Sequence, residues 1–257
     1  MLVLVSPAKT LDYESELKIQ DFSVASHLSD SKLLIEELQK KSPDDLSSLM
    51  GLSEKLSQLN FERNMNWVRP SKPSETARQA IFAFKGDVYQ GLDAISLSKA
   101  EINYTQKNLC ILSGLYGFLK PLDLMYPYRL EMGTKMQNKR GENLYEFWGS
   151  KITKSINSLA KENKSKAIVN LASVEYFSVL KRDQLDLPII SPIFKDYKNG
   201  QYKIISFFAK KARGTMTRFI MQNKVKKIED LNDFNLDGYR YSKKDSEKFS
   251  PVFLRKA

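Results

Sequence analysis

The stretch LSGLYGFLKPLDLMYPYRLEMGT, Leu112 to Thr134, constrains the chain more than any other. Gly114 and Gly117 permit positive φ and close backbone approach, while Pro121 and Pro127 fix φ and interrupt helices and sheet interiors. The backbone is therefore being shaped. Between those points sit Tyr116, Asp123, Tyr126, Tyr128, Arg129 and Glu131. Ordering so many large side chains costs conformational entropy, which is offset only if the aromatics are buried or the polar groups converge on something. Tyr116, Asp123, Tyr128, Arg129 and Glu131 are accordingly candidates for the wall of a cleft. A buried Asp-Arg network holding the segment is the structural alternative.

A chain of 257 residues, 42% hydrophobic and 11% aromatic, can build a large core. No repeat, low-complexity tract or Gly/Ser linker divides it, so residues 1–257 are expected to form one unit. The opening MLVLV is too short for a signal-peptide core, and no segment approaches the roughly 18 apolar residues of a spanning helix. A cytoplasmic protein with no membrane partner is expected. Cys110, the single cysteine, lies in the apolar run NLCILSG and reads as a buried thiol. His27, the single histidine, excludes a multi-His metal site and weighs against Ser-His and Cys-His nucleophiles. Neither a metal nor a cofactor is expected.

The formal net charge is +11, and from Lys195 onward 16 Lys and Arg stand against 7 Asp and Glu. Basic charge concentrated in this way raises the local concentration of polyanions. Phosphate-rich partners follow, with a solvated basic surface as the alternative.

LVLV reads as a buried strand ending in the polar turn Ser6 to Thr10. Helical spacing runs through SKLLIEELQKK, and Ser42-Pro43-Asp44-Asp45 caps the next helix. Ser98 to Glu101 is a capping box. ENLYEFWGSKITKSINSLAKE predicts one long amphipathic helix, and KAIVNLAS a strand leading into the helix VEYFSVLK. LPIISPIF and QYKIISFF are strand-like runs joined through Asn199-Gly200, a hairpin signal. The basic helix AKKARGTMTRFIMQNK follows, then the short strands GYRYS and PVFLRK. Without regular βαβ alternation, the pattern favours an α+β, mixed α/β, globule.

Three constellations carry chemistry. Residues of about 42–66 read as two helices around a glycine, with Leu46, Leu49, Leu52, Leu56 and Leu59 spaced to pack, and resemble the helix-hairpin-helix of DNA-binding proteins. In that arrangement Gly51, Ser53 and Lys55 would meet phosphates without reading bases. In SFFAKKARGTMTRF, Lys210, Gly214 and Arg218 follow i, i+4, i+8 beside Lys211 and Arg213, a phosphate-binding pattern in which glycine lets a ligand or backbone come close. At strand ends lie Ser6, Lys9 and Thr10, and Asn170, Ser173 and Glu175, where open sheets place ligands. Lys85 and Asp87 add candidate acid, base or ion-pair groups.

LVSPAKTLDY, FAFKGDVYQGL, LSGLYGFLKPLDLMYPYRLEMGTK, NLYEFW, VNLASVEYFSVL and FFAKKARGTMTRFI together resemble, in order and over nearly the whole chain, the YaaA family of bacterial peroxide-stress resistance proteins. Lys85 stands where that family's FNGDVY pattern has Asn. The resemblance implies a mixed α/β globule with a positively charged cleft and a helix-hairpin-helix, binding double-stranded or structured DNA. It further implies a cytoplasmic role in limiting unincorporated iron, and so Fenton damage to DNA. A DNA-binding protein without sequence preference is therefore the leading expectation. The alternative is an enzyme acting on a nucleotide or nucleobase, a small nucleotide-like ligand held between the SPAKT and PYRLE segments.

Overall fold

Four consecutive β-branched and leucine side chains, Leu2 to Val5, can all be buried only if both faces of their strand are covered. In the computed structural model, which describes residues 1–17 and 19–256, all four are completely inaccessible. Their strand, Leu2–Val5, is the middle of a five-stranded sheet. It pairs in parallel with Leu109–Ser113 on one side, Val3 opposite Leu109, and with Ile168–Leu171 on the other, Val3 opposite Val169. Ile189–Ile190 extends the second side in parallel, and Gly117–Leu119 closes the first as an antiparallel edge. A mixed α/β architecture results, with helices interspersed among several sheets.

Ser42 accepts from the Asp45 amide while Asp45 reaches back to the Ser42 amide, with Pro43 at the first helical position, so the helix Pro43–Met50 starts as its sequence dictates. Ser98 and Glu101 do the same for Lys99–Asn108. Asn199 and Gly200, both at positive φ, join Ile193–Lys198 to Gln201–Lys203. Val252–Arg255 lies between Ile193–Lys198 and Arg240–Tyr241, completing a second, four-stranded sheet over the aromatic cluster Phe194, Phe234, Tyr239 and Phe253.

The expected long helix divides. Gly149 takes φ 51° and separates Leu144–Trp148 from Lys151–Glu162, where the expectation was one helix. The strand-like run QYKIISFF also divides, because Ser206 and both phenylalanines open the helix Ser206–Gln222.

Cys110 is completely buried, and burial together with the Asp123 carboxylate pushes its thiol above the ordinary range. His27 ends up at an internal junction. Its Nε2 lies 3.1 Å from Ser155 Oγ and its Nδ1 lies 3.6 Å from Asp30, whose carboxylate also binds Lys151 and Arg140. Burial holds the imidazole below its usual value.

Helix Ser206–Gln222 crosses the short helix Asp87–Leu92 backbone against backbone. A Cβ at Gly214 would fall 1.8 Å from the Val88 carbonyl oxygen, and one at Gly91 would fall 2.2 Å from the Lys211 carbonyl oxygen. The two glycines face each other across that seam, so the close approach at Gly214 is made by protein backbone.

Candidate functional site

Chain order decides where a crevice opens. From Leu2–Val5 the chain goes to one side of the sheet, and from Ile168–Leu171 to the other, so the loops following these neighbouring strands diverge. In open α/β sheets ligands bind at such a switch point, beyond the carboxyl ends of the strands. Here the loops are Ser6 to Thr10 and Ala172-Ser173. They are fastened together, since the Ser173 amide donates to Ser6 Oγ at 2.9 Å and the two hydroxyls lie 3.3 Å apart. Tyr89 donates its hydroxyl to the Ser6 carbonyl at 3.1 Å. Ser173 also caps the single-turn helix Val174–Phe177, which fixes Glu175 and Tyr176 beside the opening.

Beyond these loops lies a cavity of ≈ 450 Å³, within the size range of small-molecule sites. Its floor is apolar and phenolic, formed by Tyr89, Tyr128, Tyr176, Leu130 and Leu171. Tyr128 shares a 2.6 Å hydrogen bond with Ser113 at the end of the strand Leu109–Ser113. Burial pushes all three phenols above their ordinary range, so they remain protonated. The rim carries Lys9, Lys85, Lys210 and Arg213 together with Asp87, Glu131 and Glu175.

The partners of these groups separate them into two sets. Glu131 Oε1 accepts from Lys9 at 3.1 Å and from Arg129 Nε and Nη2 at 2.8 and 2.7 Å. Glu175 accepts from the Gly133 amide at 2.9 Å, tying the long glycine-and-proline segment to the switch-point loop. Lys85 lies 3.7 Å from Asp12, whose carboxyl is pushed down to about 2, chiefly by the Ser15 amide. The side chains of Arg213, Lys210 and Asp87 have no hydrogen-bond or ion-pair partner among the described residues; the Arg213 carbonyl accepts from Thr217 Oγ1. Arg213 is half-buried, and desolvation holds its guanidinium below the usual value.

Of the residues singled out in the sequence, Ser6, Lys9, Thr10, Lys85, Asp87, Tyr128, Glu131, Ser173, Glu175, Lys210 and Arg213 line this one cavity. The others are placed elsewhere. Tyr116 is completely buried, its hydroxyl accepting from Trp67 Nε1 and the Tyr126 amide, so it is a core residue and offers no stacking surface. Asp123 is equally buried and accepts from Ser23 Oγ and the Lys120 amide. Asn170 accepts from the Ala172 amide and shapes the strand exit. Arg129 stands behind Glu131. Arg218 donates to the carbonyls of Leu92 and Asp93, closing the end of the short helix. Lys211 is exposed beside the seam.

Tyr89 and Tyr176 escaped notice in the sequence. Each belongs to a short helix that carries a flagged acid, Asp87 or Glu175, and that association was the available signal.

The segment of about 42–66 forms Pro43–Met50 and Glu54–Met65, turned at Gly51 with φ 61°. Ser53 makes no side-chain capping bond, and both it and Lys55 are exposed. Leu46 and Leu52 are buried as their spacing predicts, but Leu56 and Leu59 face solvent. The second helix buries Ser57, Asn60 and Asn64 instead. The first two bond to carbonyls of their own helix, and the Asn64 carbonyl receives Gln39. Arg63, on the same helix, donates to Asn60 Oδ1 at 3.3 Å.

Fold and cavity together define a mixed α/β protein with a switch-point crevice rich in cationic side chains. The family model described as "Peroxide stress protein YaaA" matches residues 1–245, and the chain belongs to that family. A UPF0246 protein of Shewanella halifaxensis (strain HAW-EB4) is 54% identical over 257 residues, covering all of both chains. A UPF0246 protein of Aliivibrio fischeri (strain ATCC 700601 / ES114) is 54% identical over 255 residues, 99% of this chain and 98% of the relative. Among the described residues no helix is long and apolar enough to cross a membrane.

Proposed function

We propose that this member of a peroxide-stress family binds DNA, double-stranded or structured and largely without regard to sequence, and so limits Fenton damage from free iron in the cytoplasm. Lys210 and Arg213, with Lys85 and Lys9 at the rim, would take the phosphates, and Lys211 would extend the track along the exposed helix. Gly51, Ser53 and Lys55 would offer backbone and hydroxyl donors to a second stretch of backbone. The observation that carries this reading is Arg213. A half-buried guanidinium without an anionic partner is incompletely solvated, and an incoming phosphate supplies the missing acceptor.

Fluorescence anisotropy of labelled duplex, bubble and single-stranded DNA across a salt series tests it. Binding should weaken steeply with salt, the logarithmic slope being about 0.9 per duplex phosphate contact. Lys210→Ala with Lys211→Ala should shallow that slope by about two such contacts. Salt-insensitive binding, or no binding by folded protein at low salt, overturns the reading.

A further inference from the structure

The cavity has more structure than a phosphate track needs. A track along a backbone requires cations in a groove, whereas here the cations stand around an apolar and phenolic floor and beside a carboxylate whose side chain has no partner among the described residues. Arg213, from the long helix Ser206–Gln222, and Asp87, at the start of the short helix Asp87–Leu92, both line the cavity. These two charged side chains are of opposite sign, and both lack a partner among the described residues. One calls for an anion and the other for an O–H or N–H donor. The floor of Tyr128, Tyr176 and Leu130 calls for an apolar or aromatic body between them.

We propose that the cavity is a single-nucleotide pocket. Arg213 and Lys210 hold the phosphate, the base lies against the Tyr128–Tyr176–Leu130 floor, and Asp87 accepts from a hydroxyl or amino group of the same nucleotide. Volume and placement agree with this. The cavity of ≈ 450 Å³ holds one nucleotide and not a stacked run of them, and it opens at the switch point where open sheets receive such ligands. The nucleotide is supplied free or turned out of a DNA strand, and the chemistry of the pocket is the same for both. The proposal shares Lys210 and Arg213 with DNA binding but does not depend on duplex binding.

Titration calorimetry with the nucleoside 5′-monophosphates, inorganic phosphate and the free nucleosides tests the first source. Anisotropy with a duplex carrying one unpaired nucleotide, against the fully paired duplex, tests the second. A monophosphate should bind at least tenfold tighter than phosphate or its own nucleoside, or the unpaired duplex should bind at least tenfold tighter than the paired one. Arg213→Met should remove that preference while leaving the protein folded and, having lost an unpartnered, half-buried charge, no less stable to urea. Asp87→Asn carries the sharper sign. It should weaken the nucleotide several-fold while leaving inorganic phosphate unchanged or tighter, because a carboxylate repels phosphate and attracts only the rest of the nucleotide. If neither source shows a preference, or if Asp87→Asn acts equally on nucleotide and phosphate, the pocket does not take a nucleotide. Salt-dependent binding of paired duplex in that same outcome would leave the DNA reading standing alone.

Discussion

Gly214→Ala separates a glycine kept for packing from one merely tolerated on a helix surface, because the two cases predict opposite signs. On an exposed helix the substitution stabilises by about 1 kcal/mol through helix propensity. In this fold the new methyl would sit 1.8 Å from the Val88 carbonyl oxygen, 2.7 Å from its carbon and 2.9 Å from the Leu92 nitrogen. None of these backbone atoms can rotate away, so the helices Asp87–Leu92 and Ser206–Gln222 must part by roughly 1.5 Å to reach ordinary van der Waals separation. Overpacking of this kind costs typically about 1–3 kcal/mol, and a backbone clash belongs at or beyond the upper end. After the propensity gain a loss of about 2 kcal/mol remains, equivalent in a chain of this size to a Tm lower by about 4–8 °C. Urea unfolding of wild type, Gly214→Ala, Gly91→Ala and the double variant measures it. The double variant should lose less than the sum, since the first methyl has already opened the seam. A Gly214→Ala protein as stable as wild type, or more so, would refute the backbone contact.

Three further outcomes are expected. Because burial keeps the His27 imidazole below its ordinary value, the unfolded chain binds that proton more readily, and stability present above about pH 6.5 is lost as pH falls through it. His27→Gln should flatten the difference in unfolding free energy between pH 7.5 and 5.5, and an unchanged difference sinks the assignment. Cys110 should resist iodoacetamide and hydrogen peroxide in the native protein and react after unfolding, by mass spectrometry; rapid native labelling would show that its strand opens. Arg218→Ala, which leaves the Leu92 and Asp93 carbonyls without their donor, should cost about 1–2 kcal/mol of stability and hardly alter the salt slope of DNA binding. Lys210→Ala should do the reverse.

Signals held within a few residues were readable from the sequence. The LVLV strand, the Ser42 cap, the Ser98–Glu101 capping box, the Asn199-Gly200 hairpin and the buried Cys110 each rest on local periodicity or turn chemistry. The polar residues at strand ends, Ser6, Lys9 and Ser173, line the cavity, because chain topology alone places such loops at a crevice. What failed was settled by distant partners. The leucines of Glu54–Met65 suggested a buried stripe, but side-chain bonds of Ser57 and Asn60 to their own helix allow the polar face to turn inward. Tyr116 and Tyr128 look alike in the sequence. Only the position of Trp67 commits the first to the core, while the second reaches the cavity floor. The basic spacing in Ser206–Gln222 was real, yet Arg218 is drawn to the end of a helix whose place no local pattern reveals.

The middle strand of the main sheet also bears on how the chain reaches this state. Val3 finds its neighbours at Leu109 and Val169, so neither edge of Leu2–Val5 can be satisfied by nearby chain. Parallel pairing across such separations places this protein among slow folders, since the large loops must close before any contact rewards them. Until then a run of four aliphatic side chains with open hydrogen-bonding edges remains available to other chains. The same strand that holds the finished crevice open is thus the segment most exposed to aggregation while the protein is being made.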